Sequence, residues 1–304
     1  KRETGSETIN DLQGGHRMPP RRPPVRSVHS ARRRPPPKKR RRKKSPLFSG
    51  LEKVILMLCA VLVCCIIYST VQLVKGIALQ FDILSVGGDN HHVIVIDPGH
   101  GGIDRGAEYY AVESEETERT ASALQALLMA DENYDVLLTK QAGEGLSIAD
   151  RASVANSKKA DLFLSIHFNS DETYSATGFE CYPQTPGSEY YSDSMRFAKA
   201  IAEGMGEQGQ NLRGFGGVRF LYYTDDGEGG YQKLLREIND TNVYPEQTFG
   251  VLEQAQCPAV LAEQCFLTSD SDVLNWTGDS GAQKAARVYY EAICEYFGTE
   301  PIAG

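Results

Sequence analysis

The stretch that most constrains the fold is Val93–Gly102, VIVIDPGHGG. Four consecutive β-branched residues, Val93–Ile96, carry no polar alternation and stop at Asp97-Pro98. That pattern predicts a strand buried on both faces. Gly99, Gly101 and Gly102 then turn the backbone tightly and leave His100 little steric cover. Ligands in open α/β sheets bind just beyond the carboxyl ends of the strands. His100 is therefore a candidate metal ligand as well as a turn residue. A second histidine, His167, stands near the end of another largely apolar run, Asp161–Phe168 (DLFLSIHF). The other four, His16, His29, His91 and His92, lie in a basic tail or ahead of the first strand.

Beyond residue 93, strand and helix patterns alternate. Strands are expected at 93–97, 135–140, 161–168, 178–183 and 258–266, and helices at 114–130, 147–158, 188–207 and 279–297. A long irregular stretch is expected between 207 and 258. Such alternation defines an α/β domain, a mostly parallel twisted sheet with helices on both faces. Residues 93–298 suffice for one domain with its own core, followed by a short tail, 299–304.

Charge divides the chain. Residues 1–53 carry 17 Lys and Arg against 4 Asp and Glu, and the remainder carries 15 against 36. The first part, with PPRRPPVR and RRRPPPKKRRRKK, is proline-rich and almost free of apolar residues. It cannot bury a core and is expected to be disordered. Val54–Val74 follows, 21 residues without a charge, about the ~30 Å needed to cross a bilayer. The excess of Lys and Arg before it predicts a cytoplasmic amino terminus and an extracytoplasmic domain. The span is longer than the ~7–15-residue apolar core of a signal peptide, so 54–75 reads as an uncleaved single-pass anchor in the cell membrane. The basic tail, 1–53, would lie near anionic lipid. No nucleic-acid partner is expected, because topology explains Lys38–Lys44. Residues 76–92 form a linker. The chain starts at Lys1, so an initiator is missing or the numbering begins inside a longer protein. Nothing in the sequence sets an oligomeric state.

Of seven cysteines, Cys59, Cys64 and Cys65 fall in the apolar span. Pairing among Cys181, Cys257, Cys265 and Cys294 is open from sequence, and the lack of a C-x-x-C pair gives a thiolate metal site no support.

Two histidines at strand ends call for a third, acidic ligand, since two His and one Glu is a known catalytic zinc set. Glu113, Glu115, Glu116 and Glu118 crowd the start of the first helix, where the helix dipole favours acids in any case. Helical phase separates them. Relative to the apolar stripe Ala121, Leu124 and Leu128, at ~100° per residue, Glu113 points inward, Glu116 sits at the edge, and Glu115 and Glu118 face solvent. A carboxylate aimed at a core needs a partner, and a metal would supply one. Glu263 interrupts the buried strand Pro258–Leu267 (PAVLAEQCFL). It is either a structural ion pair or a general base near a metal-bound water. Arg151 and Asn169 read either as a salt bridge and a loop-closing amide or as substrate contacts. Tyr222, Tyr223 and Tyr231 either pack or line a groove.

With these residues in view, the chain resembles the zinc-dependent N-acetylmuramoyl-L-alanine amidases of the amidase-3 type. The resemblance rests on IDPGHGGIDRGA (Ile96–Ala107), ESEETERTASALQALL (Glu113–Leu128), RASVANSKKADLFLSIHFN (Arg151–Asn169) and CPAVLAEQCFLTSDSD (Cys257–Asp272). It implies Zn2+ held by His100, Glu113 and His167, with Glu263 as catalytic base. It implies hydrolysis of the amide between N-acetylmuramic acid and L-alanine in bacterial peptidoglycan. The segment between Arg213 and Gly250 is longer than the common pattern. A non-catalytic wall-binding or scaffold protein and a zinc peptidase acting within the stem peptide are the alternatives on the same fold.

Overall fold

A computed structural model describes residues 50, 52–55, 57–63, 66, 68 and 91–303. The chain divides into two compact units, Lys1–Tyr68 and Ser69–Gly304. In the first unit the described residues are helical and exposed, including Val54, Leu58, Leu62 and Ile66. Among the described residues no helix is long and apolar enough to cross a membrane. The expected span at 54–74 falls partly outside them, and the basic tail and most of the linker lie outside them altogether.

The second unit is built on a five-stranded sheet. Its strands are β1 (His92–Pro98), β2 (Tyr134–Leu138), β3 (Leu162–Asn169), β4 (Glu180–Pro183) and β7 (Ala259–Phe266), in the order β2-β1-β3-β7-β4. Every pairing is parallel except that of β4 with β7. Val93–Ile96 are buried, as a strand covered on both faces requires. One face packs under helices α1 (Glu113–Met129), α3 (Tyr191–Glu207) and α6 (Gly278–Phe297), and contributes Ile94, Ile96, Leu164 and Ile166 to the larger core. The other face, with Val95, Phe163 and Leu261, is covered by α2 (Ile148–Ser157) and the short α4 (Gly250–Gln254).

Two stretches depart from the sequence expectation. The stretch expected to be irregular holds a hairpin, β5 (Arg219–Asp225) and β6 (Tyr231–Glu237), as well as α4. Its turn is closed by Asp226, whose carboxylate accepts from the amides of Glu228 and Gly230 at 2.8 and 2.9 Å. A further helix, α5 (Asp270–Trp276), follows β7, started by Ser269, whose hydroxyl accepts from the Asp272 amide at 3.3 Å. Cys181, Cys257, Cys265 and Cys294 are buried free thiols. They serve as small apolar residues of the core.

Candidate metal centre

The register of the sheet carries the site. Side chains alternate along a strand, so Asp97 on β1, Ser165 and His167 on β3, and Leu261 and Glu263 on β7 share the α2 face. His167 is paired directly with Glu263, and Glu263 in turn with Glu180 on β4. The loop after β1 then turns His100 toward this face. Gly99 carries no side chain because a Cβ there would meet the His167 ring at 2.4–2.7 Å. His100 itself adopts φ 59°, an uncommon conformation for a residue with a Cβ.

That strained loop is held by Arg151 of α2. Its Nη1 donates to the buried Asp97 carboxylate at 2.8 Å and to the Pro98 carbonyl at 2.7 Å, and its Nη2 donates to the His100 carbonyl at 2.6 Å. Asp97 also accepts from Thr139 and Ser165. Arg151 is thus a buried structural ion pair. Asn169 donates to Glu180 at 2.6 Å while its carbonyl accepts from the Ser170 amide, a loop-closing role.

Glu113, the first residue of α1, reaches over the strand ends into the same space. One carboxylate oxygen, Oε1, lies 3.1 Å from His100 Nε2 and 3.0 Å from His167 Nδ1, and accepts from the Phe168 amide. Oε2 accepts from the Ala107 amide at 2.8 Å. One donor atom from each of His100, Glu113 and His167 can be chosen so that all lie within 4.8 Å of one another. Tetrahedral zinc with ligands at ~2.0–2.1 Å separates its donors by about 3.3 Å, so the three fit one divalent cation. Two imidazoles crowding a single buried carboxylate oxygen is the arrangement such a cation would organise.

Electrostatics agree. Burial penalises the Glu113 carboxylate, yet its hydrogen bonds to His100 and His167 and their charge hold its pKa far below the usual range. Burial likewise works against protonation of His100, but Glu113 and Asp104 outweigh it and raise its pKa to about 9. The His167 pKa is raised for the same reason, with Glu113 the main attraction. Asp104 Oδ2 lies 2.9 Å from His100 Nδ1, which leaves Nε2 free to face a metal.

Glu263 lies beside this cluster. Its Oε2 is shut from solvent and has no hydrogen-bond partner among the described residues, and burial raises its pKa to about 7 despite the charge of His167. A structural ion pair, the alternative for Glu263, is absent among the described residues. A cleft of about 970 Å³ opens over the group, lined on one side by Tyr223, Tyr231 and Lys233 of the hairpin. Tyr222 faces the other way, buried against Tyr244.

The other first-turn acids separate as follows. Glu115 is exposed and pairs with Arg105, while Glu116 is buried and accepts from the Gly278 amide at 2.8 Å. Glu118 does not face solvent freely, contrary to its helical phase. It meets Lys140 Nζ at 2.6 Å, and that lysine side chain is only 1% exposed. Asp104 and Lys233 were not singled out by sequence. Asp104, four residues after His100 in a glycine-rich loop, is the one that spacing could have flagged.

Comparison with known proteins adds the lineage. The family model for N-acetylmuramoyl-L-alanine amidase (Amidase_3) matches residues 94–295. The N-acetylmuramoyl-L-alanine amidase CwlM of Bacillus licheniformis is 29% identical over 206 residues, covering 67% of this chain and 68% of its own length. AmiC of Escherichia coli is 26% identical over 225 residues, covering 69% of this chain and 54% of its own. Among solved structures, the N-acetylmuramoyl-L-alanine amidase of Clostridium difficile 630 shares the fold at a TM-score of 0.56 and 24% identity, over 70% of this chain and 100% of that one. With the family model spanning all but the first two residues of the sheet and all four residues of the cluster, the chain belongs to the N-acetylmuramoyl-L-alanine amidase family.

Proposed function

We propose that this peptidoglycan amidase is zinc-dependent, with His100, Glu113 and His167 as the metal ligands and Glu263 as the base. The observation that carries the reading is the placement of Glu263, opposite His167 in register with an unpartnered, buried carboxylate oxygen. When bound, zinc acts as a Lewis acid on the scissile carbonyl and brings the pKa of water from ~15.7 to about 7. Glu263 accepts a proton from the attacking water as the carbon–oxygen bond forms. It returns that proton to the alanine nitrogen as the carbon–nitrogen bond breaks, and the second water proton passes from the new carboxyl group to the freed amine, leaving a lactyl carboxylate and an ammonium group. A base with a pKa near neutrality suits both transfers.

The uncharged run at 54–74, preceded by the basic tail, is read as a single-pass anchor with the amino terminus in the cytoplasm and the catalytic unit outside. The exposure of Val54, Leu58 and Leu62 on the helical segment supports this. Carbonate-washed membranes should retain the full chain, and its release into the wash would contradict the anchor. The function itself is tested by mass spectrometry of products from purified peptidoglycan. Intact stem peptides beginning with L-alanine, together with unsubstituted glycan, are expected. Cuts within the stem peptide would indicate a peptidase, and no products a binding protein.

A further inference from the structure

The proposed chemistry leaves one cation of the cleft unused. Of the Lys and Arg residues lining it, Arg151 is committed to Asp97, whereas Lys233 is exposed and makes no ion pair among the described residues. The hairpin's arginines are engaged, Arg219 with Glu180 and Glu237, and Arg236 with Asp240. Lys233 is the register partner of Tyr223 and shares its face with Tyr231. That face looks into the cleft, while Tyr222 and Leu234 on the opposite face join the core. The surrounding wall is acidic, with Asp104, Glu108, Glu253 and Glu263 among its lining. In sheet order the imidazoles lie over β1 and β3, Glu263 stands on β7, and the hairpin adjoins β4 through the Cys181–Val218 bridge. Lys233 therefore lies on the Glu263 side of the metal ligands.

A second rim, at the carboxyl ends of β3 and β7 where the Tyr110 amide donates to the Leu267 carbonyl, is aromatic. Tyr109 and Tyr110, in the loop between β1 and α1, meet Tyr174, in the loop after β3, with ring centroids 5.9 and 6.3 Å apart. All three are well exposed, at 39%, 54% and 54%. Tyr174 is held at φ 55° by Asp171, whose carboxylate accepts from the amides of Thr173, Ser175 and Ala176 at 2.9–3.1 Å. A strained, exposed aromatic persists only where its surroundings over-determine it, and such positions cluster at ligand clamps. Tyr109 also lines the cleft, so the platform is continuous with the site.

We propose that substrate lies across the cleft in one direction, with the acidic stem peptide running toward Lys233 and Tyr231 and the sugar rings resting on Tyr109, Tyr110 and Tyr174. The inference rests on Glu263 acting as the base. A group that hands a proton to the leaving amine must stand beside it, and that amine belongs to the peptide. The peptide therefore departs on the Glu263 side, where Lys233 offers a charge-assisted hydrogen bond to a carboxylate. The acyl half carries pyranose rings, whose C–H faces pack on aromatic rings.

The test is binding of the two products, separately, to the zinc-loaded full chain. The ligands are free stem peptide with its carboxylates intact and peptide-free glycan oligomers. Lys233→Gln should weaken peptide binding by about three- to tenfold and leave glycan binding unchanged. Lys233→Arg should retain both, and amidating the peptide carboxylates should reproduce the loss in the unmodified protein. Tyr174→Ala should weaken glycan binding alone, with Tyr174→Phe retaining it. The ligand each variant still binds shows that it is folded. A reversed pattern, an equal loss of both ligands, or no effect of either substitution would overturn the orientation. Unimpaired release of stem peptides from peptidoglycan by Glu263→Gln would instead overturn the role of Glu263, a separate outcome because product binding needs no turnover.

Discussion

His167 and Glu263 are register partners across β3 and β7, so an imidazole and a half-buried carboxyl stand side by side on the face that bears the cleft. Substitution of the carboxyl alone should separate chemistry from metal binding. Glu263→Gln is expected to lower turnover on peptidoglycan by about 10²–10⁴-fold with zinc content unchanged. Turnover near that of the unmodified protein would remove Glu263 from the reaction.

The same residue sets a dependence of stability on pH. Burial raises the Glu263 pKa to about 7, above its value in the unfolded chain. Its contribution is therefore favourable below the ordinary carboxylate pKa of ~4.3 and is lost as pH rises through about 7. Replacing the carboxyl with a neutral amide removes that loss. Metal-free Glu263→Gln should be more stable than the metal-free parent at pH 8, by about 3–4 kcal/mol, and no more stable near pH 4. Thermal unfolding at the two pH values checks this, and a lower midpoint for the variant at pH 8 would contradict it.

Asp104 orients His100 through Nδ1. Partners of this kind typically change metal affinity by about 10–100-fold, so Asp104→Asn should weaken zinc by that amount in a competitive chelator titration. Unchanged affinity would mean that the loop alone fixes the imidazole.

Arg151 supports the His100 loop from beneath. Arg151→Met strands the Asp97 charge in a buried position, and breaking a buried pair of this sort costs about 3–5 kcal/mol. Denaturant unfolding should show that loss. The double substitution with Asp97→Asn should recover part of it, and full additivity of the two would argue against a direct coupling.

How much of this was legible in the sequence depended on whether a local pattern decided the outcome. His100 and His167 stood at the ends of apolar runs, and Glu113 shared the helical phase of Leu124, so the meeting of all three followed from strand ends and a 3.6-residue period. Glu118 escaped the same reasoning. Its partner Lys140 comes from beyond β2, and the loop that brings the two together at 2.6 Å is a tertiary contact that phase does not encode. The hairpin was present as two alternating segments, RFLYYTD and YQKLLRE, around a glycine-rich turn, but the polar outer face of β6 masked it. Glu180 was silent because its importance comes from pairing beside Glu263 while accepting from Asn169, Arg213 and Arg219, none of which is near it in sequence.

The decisive measurement is the zinc bound per chain after equilibrium dialysis of the unmodified chain and of His100→Ala, Glu113→Ala and His167→Ala. One zinc in the parent and its loss from each variant is the expected result. Retention of zinc by any one of the three, with the fold intact by circular dichroism, would contradict a centre built from these ligands.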